Sequence, residues 1–189
     1  MNPLRMAAWV VLIGIAGPAF AAAQREEVVS ILDGRRVSVA VPPGYVFKQE
    51  RDAAGLVQVQ LTHADQRVNL DLLFLPDPDG QAGTARLRRE RMVELFNDYV
   101  ADSVERGMQF EELEPRRGAG TYCVFTDAKL VGRSELPPGE YLNLTCGVKS
   151  WPGVMVVVRL FSNDRTGVAY RAAMRLLRES IEERPVPLR

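Results

Sequence analysis

Histidine is almost absent. His63 is the only imidazole in 189 residues, and Cys123 and Cys146 are the only thiols. A multi-histidine metal site is therefore impossible, and a zinc site would need both cysteines reduced beside His63. A Ser-His-Asp or Cys-His nucleophilic machine would have to take His63 as its base. That residue falls in a turn-like stretch with Asp65 two positions on, and no serine stands in a nucleophile-elbow setting, so we read it as a surface turn residue. The cysteines lack the Cys-x-x-Cys spacing of a redox pair. Lysine is scarce too: Lys48, Lys129 and Lys149 are the whole set, and every other cation is arginine. Basic and acidic residues balance at 24 each, without the strong positive charge of a nucleic-acid-binding domain. No phosphate loop is present, because Gly118-Ala119-Gly120-Thr121 is too short and runs into a strand pattern. Asp77-Pro78-Asp79-Gly80 fails as a calcium loop. Setting Gly80 at its sixth position puts Leu75 first and Arg86 twelfth, where carboxylates are required. No metal and no cofactor is expected.

What is there begins at the N-terminus. Arg5 supplies one positive charge, and an uncharged stretch follows from Met6 to Ala23, densest at Trp9-Val10-Val11-Leu12-Ile13. Gly14, Gly17 and Pro18 break it, and small residues then stand at the −3 and −1 positions of two sites, ending at Ala21 and at Ala23. That layout is a cleaved secretory signal peptide. We expect residues 1–23 to be removed and residues 24–189 to form one globular domain in a Gram-negative periplasm. No cysteine follows the apolar run, which excludes a lipoprotein anchor, and no twin-arginine pair precedes it, which favours export unfolded. The alternative is a membrane-anchored envelope protein that keeps its 6–23 segment.

An oxidising compartment makes a Cys123–Cys146 disulfide the expected state. It would close a loop of 24 residues, 123 through 146, worth about 3.5 kcal/mol by chain entropy. Geometry objects if Pro138-Gly139 closes a tight hairpin, for then Val131 faces Cys146. The bridge requires residues 132–139 to form an open loop, or the strands to pair otherwise.

The mature chain alternates between the two periodicities. Val28–Leu32 and Arg35–Val41 flank Asp33-Gly34, a two-residue hairpin signal, and Pro42-Pro43-Gly44 ends the unit. Leu56–Thr62 and Arg67–Leu75 alternate as half-buried strands, with Pro76-Asp77-Pro78-Asp79-Gly80 as the stop. From Thr84 to Glu105 the spacing of Met92, Phe96, Tyr99, Val100 and Val104 predicts one long helix, ended by Gly107. Gln109–Leu113, Thr121–Val131, Glu140–Lys149 and Val154–Phe161 read as strands, the last apolar enough to be covered on both faces. A second helix, capped by Asp164 or Thr166, buries Ala169, Ala173, Leu176, Leu177 and Ile181, and 184–187 form a frayed tail. The fold class is α+β, with a mostly antiparallel sheet of about six or seven strands and two long helices.

This order, with a short hairpin ending in Pro42-Pro43-Gly44-Tyr45, two strands, a long helix, a three-strand meander and a closing helix, resembles the PsbP-like superfamily over most of residues 28–183. That group includes the photosystem II extrinsic subunit P, the Ran-binding Mog proteins and the envelope DcrB-type proteins. The resemblance lies in topology and implies an α/β/α sandwich acting as an accessory or binding module. It implies no site residues.

Four features remain as candidate sites. Arg86, Arg88, Arg89 and Arg91 crowd the start of the first helix, where cations oppose the helix dipole. They are the best pointer to an anionic ligand or an acidic partner, although Glu90 and Glu94 stand within pairing distance in sequence. Glu111, Glu112 and Glu114 form an acidic cluster read as a charge-balanced edge beside Arg116-Arg117. Tyr45, Phe47, Tyr122, Tyr141 and Trp151 fall at strand ends as a candidate groove or as rim aromatics closing the core. Asn143-Leu144-Thr145 is a glycosylation sequon, relevant only in a eukaryote. The function expected is an exported, non-catalytic accessory or binding protein of the cell envelope, with a protein or envelope partner and no nucleic acid. The rival is a small exported hydrolase with catalytic carboxylates among Asp71, Glu112 and Glu114, which requires two of them to converge in a pocket.

Overall fold

A computed structural model describes residues 24–31, 34–114, 118–179 and 181–184. The chain is α+β. Its small sheet joins β1 (Arg25–Ser30), β2 (Arg36–Val41) and β10 (Ile181–Arg184) in the order β1-β2-β10. Its large sheet has seven strands: β3 (Tyr45–Arg51), β4 (Val57–His63), β5 (Val68–Asp77), β6 (Glu111–Leu113), β7 (Ala119–Thr126), β8 (Asn143–Trp151) and β9 (Gly153–Ser162). They lie in the order β3-β4-β5-β9-β8-β7-β6, and every pairing in both sheets is antiparallel. Two helices, α1 (Ala85–Phe96) and α2 (Val168–Glu179), complete it.

Alternation along the strands sorts the core. On β9, Val154, Val156, Val158 and Leu160 join one buried cluster, while Met155 and Val157 join another. The first cluster takes in the small sheet's Val29, Val37 and Val39 together with Ala173, Leu176 and Leu177 of α2. The second takes in Met92 and Phe96 of α1 with Cys123, Phe125 and Cys146. Successive side chains of a strand point to opposite faces, so β8 and β9 are covered on both, as the apolar run of β9 predicts.

Several sequence-based boundaries need correction. The first hairpin is present, and the Ile31 N–H donates to the Arg35 carbonyl at 2.9 Å. The expected Asp33-Gly34 turn falls partly outside the described residues, since Leu32 and Asp33 are not among them. Gly34 takes a left-handed φ of 71°. The Pro152-Gly153 turn matches its prediction, with Gly153 at φ 78° and Trp151 facing Val154. The strand before the stretch of residues 76–80 runs two residues into it, and β5 ends at Asp77.

β3 is an edge strand with only Tyr45 buried and residues 48–51 exposed, so no apolar alternation marked it. β10 takes Ile181 out of the expected helical stripe: α2 ends at Glu179 and the chain returns to pair with β2 through Ile181–Arg184, while residues 185–187 of the expected tail lie outside the described residues.

The largest departure concerns the first helix. Thr84 caps it, its hydroxyl accepting the Leu87 N–H at 3.2 Å, but it stops at Phe96 and passes through a 3₁₀ turn at Asn97–Tyr99. Asn97 and Asp98 are weak helix formers that favour local turns. Tertiary bonds then claim Val104 and Glu105. The Val104 N–H donates to the Thr126 carbonyl at 2.8 Å, and the Thr126 N–H and hydroxyl each donate to the Glu105 carboxylate at 2.8 Å.

Candidate functional site

The arginines of α1 are brought together, and they are consumed where they stand. Arg86 pairs with Glu90 at 2.6 Å and Arg91 with Glu94 at 2.5 Å along the helix surface. Arg88 points inward, 4% exposed. Its Nε donates to Thr121 Oγ1 at 2.9 Å and an Nη to Glu112 at 3.0 Å, while Arg89 donates to the other Glu112 oxygen at 2.9 Å. Arg88 and Arg89 of the candidate anion patch and Glu112 of the acidic cluster thus form one ion-pair network between α1 and β6, while Arg86 and Arg91 pair within the helix. Burial alone would raise the Glu112 carboxyl, but the hydrogen bonds from Arg88, Arg89 and Thr121 outweigh it and hold the group below its ordinary value.

A carboxyl depressed on folding contributes stability that is present above its unfolded pKa and lost as pH falls through its lower folded one. Glu112→Gln should therefore cost about 1–2 kcal/mol at pH 7, near the low end for a partly exposed partner of a buried charge. The cost should shrink as pH falls through the lowered folded-state value, as urea melts at a series of pH values from 7 downward would show. Asp71 has the opposite sign. It is buried in β5, and desolvation raises its carboxyl despite Arg159 at 3.6 Å and hydrogen bonds from Gln60 and Asn69. Its ionisation opposes folding as pH rises through the carboxylate range. Asp71→Asn should be neutral or stabilising by up to about 1 kcal/mol at pH 7 in the same melts.

The carboxylates of the rival hydrolase do not converge. Asp71 on β5 and Glu112 on β6 are separated by β9, β8 and β7, four strand spacings or about 19 Å. Glu114 follows β6 and is exposed. His63 closes β4 rather than standing in the turn, half-buried, with its ring edge-on to Tyr45 at 5.1 Å and Nδ1 at 2.7 Å from Asp65. Asn143 is buried and donates to the Ser162 carbonyl, so a folded chain cannot carry a glycan on its sequon. Among the described residues no group of three His, Cys, Asp or Glu side chains is placed to hold a metal, and no helix is long and apolar enough to cross a membrane.

Cys123 and Cys146 are direct register partners on β7 and β8. The objection from a tight hairpin is answered: β7 ends at Thr126 opposite Asn143, which leaves residues 127–142 as an open loop. Both thiols are free and fully buried in this structure. Burial pushes the Cys123 thiol up to about 12 and the Cys146 thiol up as well.

The five strand-end aromatics do not form one groove. Tyr45 is buried, its hydroxyl donating to the Ala169 carbonyl at 2.7 Å, and Trp151 is buried beside Lys149. Phe47 packs on the same core. Tyr122 and Tyr141 open instead onto two separate concavities.

The cleft at Tyr122 is the site that sequence reasoning missed. It is a concavity of about 450 Å³ between α2 and the β6–β7 edge, bordered by Arg165, Arg171, Arg175, Arg178, Tyr170 and Tyr122. Arg171, Arg175 and Arg178 recur at i, i+4 and i+7, which puts them on one helical face. That face flanks the buried stripe of Tyr170, Ala173, Met174 and Leu177. Among the described residues none of these four arginines makes a carboxylate salt bridge; Arg171 donates to the Thr166 carbonyl. Glu111 and Glu179 also border the cleft, and Glu111 accepts the Tyr122 hydroxyl. Burial, reinforced by Glu111, pushes that phenol up to about 12, while Arg178 acts in the other direction. The i, i+4, i+7 recurrence was visible in the sequence. What hid it was that arginine is common throughout and only the pairing partners distinguish one cluster from another. No family model matches the chain, and no curated protein does.

Proposed function

We propose that this chain is an exported, non-catalytic binding or accessory protein of the cell envelope, an α/β/α sandwich of the PsbP-like kind, that engages an anionic surface through the arginine cleft of α2. The observation that carries the reading is the contrast between the two arginine clusters. Those of α1 meet Glu90, Glu94 and Glu112 inside the molecule. Those of α2 make no carboxylate salt bridge among the described residues and border an open concavity, in which they outnumber Glu111 and Glu179. Arginine forks suit phosphate and carboxylate groups, and a same-sign patch raises the local concentration of anionic partners. The sandwich is supported by the two core clusters, which share alternate residues of β9 while α1 joins one and α2 the other. Export rests on the leader, which lies outside the described residues; the intact mass of protein from its native host should lack residues 1–21 or 1–23, and a retained segment would favour the anchored alternative.

The binding reading is tested by co-sedimentation with phosphatidylglycerol vesicles at low and high salt. Wild type should bind and be released by salt. At about 1 kcal/mol for each arginine near an anionic surface, Arg171→Gln/Arg175→Gln/Arg178→Gln should bind at least 100-fold more weakly. Arg86→Gln/Arg91→Gln should bind as wild type does. Equal binding by all three proteins, or none by wild type, would remove the α2 cleft as the docking surface.

A further inference from the structure

The second concavity, of about 240 Å³, lies at the far end of the other sheet face. It exists because α1 ends early. The 3₁₀ turn at Asn97–Tyr99 brings Tyr99 back over β7, where it stacks on Phe125 with centroids 6.0 Å apart and planes 24° apart. The opposite wall comes from the open loop before β8 and from β9, as Tyr141 tilted on Phe161 at 5.5 Å. Two aromatic pairs from four different segments therefore border one space, above a floor that includes buried Leu144.

Every charged side chain on its lining is acidic: Asp102, Asp127 and Glu140. Asp102 is shared with Lys129, an exposed pair at 3.0 Å, and Asp127 accepts the Lys129 N–H at its own turn. Burial, and the nearby charge of Asp71, push the Tyr141 phenol upward, which marks the wall as electronegative as well as apolar.

Aromatic faces present the negative part of their quadrupole, and carboxylates at the rim add net charge of the same sign, so the occupant that satisfies both is a cation with an apolar skin. A simple metal ion would lose its hydration to the rings and gain little from them, and an anion would meet three carboxylates. We infer that the pocket between Tyr99–Phe125 and Tyr141–Phe161 binds a small organic ammonium compound, with the ammonium group against the rings and toward Glu140. The group is the same on a free solute and on a choline-type lipid headgroup. The pocket shares no lining residue with the α2 cleft, and the inference stands independently of it.

Titration calorimetry of the full mature chain with choline chloride tests this, with 3,3-dimethylbutan-1-ol as the neutral isostere of the same shape. Choline should bind saturably and at least tenfold more tightly than the alcohol. Tyr141→Ala should weaken choline about tenfold, Tyr141→Phe should keep most of the affinity, and Glu140→Gln should narrow the gap to the alcohol. Thermal melts of each variant separate lost binding from lost folding. Co-sedimentation with phosphatidylcholine vesicles distinguishes the sources: binding suppressed by free choline marks a headgroup site, and choline binding without vesicle binding marks a solute site. Equal affinity for choline and the alcohol, or no saturable heat up to millimolar choline, overturns the inference.

Discussion

Lys149→Ala is expected to lower the stability of the chain by about 3–5 kcal/mol in urea unfolding, a larger loss than Glu112→Gln brings. Lys149 is 1% exposed on β8. Its Nζ donates to the carbonyls of Leu177 at 3.1 Å and Ile181 at 2.9 Å, and stands 5.7 Å from the centre of the Trp151 ring. The last carbonyls of a helix have no partner within it, and a cation there also meets the negative end of the helix dipole. Lys149 therefore closes the C-terminal end of α2 and sets the point at which the chain turns into β10. Truncation would lose the buried stem, leave a cavity and orphan two carbonyls. Lys149→Met keeps the stem and orphans the carbonyls alone, so it should cost about 1–3 kcal/mol. Because α2 carries Arg171, Arg175 and Arg178, the alanine variant should also weaken vesicle binding, while the methionine variant stays closer to wild type. A loss below about 1 kcal/mol for alanine, the net worth of a single hydrogen bond, would mean that Lys149 does not hold the helix end.

Oxidising the Cys123–Cys146 pair is expected to raise stability by about 3.5 kcal/mol over the reduced protein, the chain-entropy value for a loop of this length. The Asp127 N–H donates to the Leu142 carbonyl at 2.9 Å. Hydrogen-bonded pairs recur at every second position of an antiparallel ladder, so Cys123 and Cys146 form one, with Cα atoms roughly 5.5 Å apart. That Cα spacing lies within the range a disulfide spans, while the Cβ atoms of a hydrogen-bonded pair stand wider than a bridge needs, so the two strands must draw together locally on oxidation. The reduced thiols are buried and held protonated, so they should resist iodoacetamide in the native protein and react fully in denaturant. Oxidation therefore has to precede or accompany folding. Intact mass after alkylation in denaturant, with and without reductant, distinguishes the two states. Two alkylated thiols in a sample exported and purified without reductant would exclude the bridge in that setting.

The strands were legible wherever one face is buried, because burial imposes a period of two on the sequence. β4, β5 and β7 carry it, β9 was legible instead as the continuous apolar run of a strand covered on both faces, and the Pro152-Gly153 turn carries its own chemistry. β3 was not legible, since Lys48, Gln49, Glu50 and Arg51 are exposed on an edge and nothing forces a pattern on them. The end of α1 was misplaced because Tyr99, Val100 and Val104 continue a helical spacing. Their apolar side chains meet other surfaces for other reasons: Tyr99 stacks on Phe125, and Val104 follows a backbone bond to Thr126. β10 was lost because a four-residue strand of mostly charged residues has no local signature and forms only where β2 offers an edge.

By itself the sequence determined the α+β class of the fold, the presence of two helices and the exclusion of histidine-rich metal chemistry, all properties of composition and local period. Only the tertiary structure decided which arginines are available. Arg88 and Arg175 are alike in the chain, yet one is neutralised by Glu112 from a distant strand and the other borders an open cleft. It also decided that Cys123 faces Cys146 and that four aromatics from separate segments share one pocket. The physical reason is the same in each case. Periodicity reports what a residue's own element buries, whereas pairing, register and pocket walls are fixed between elements far apart in sequence, which no local pattern encodes.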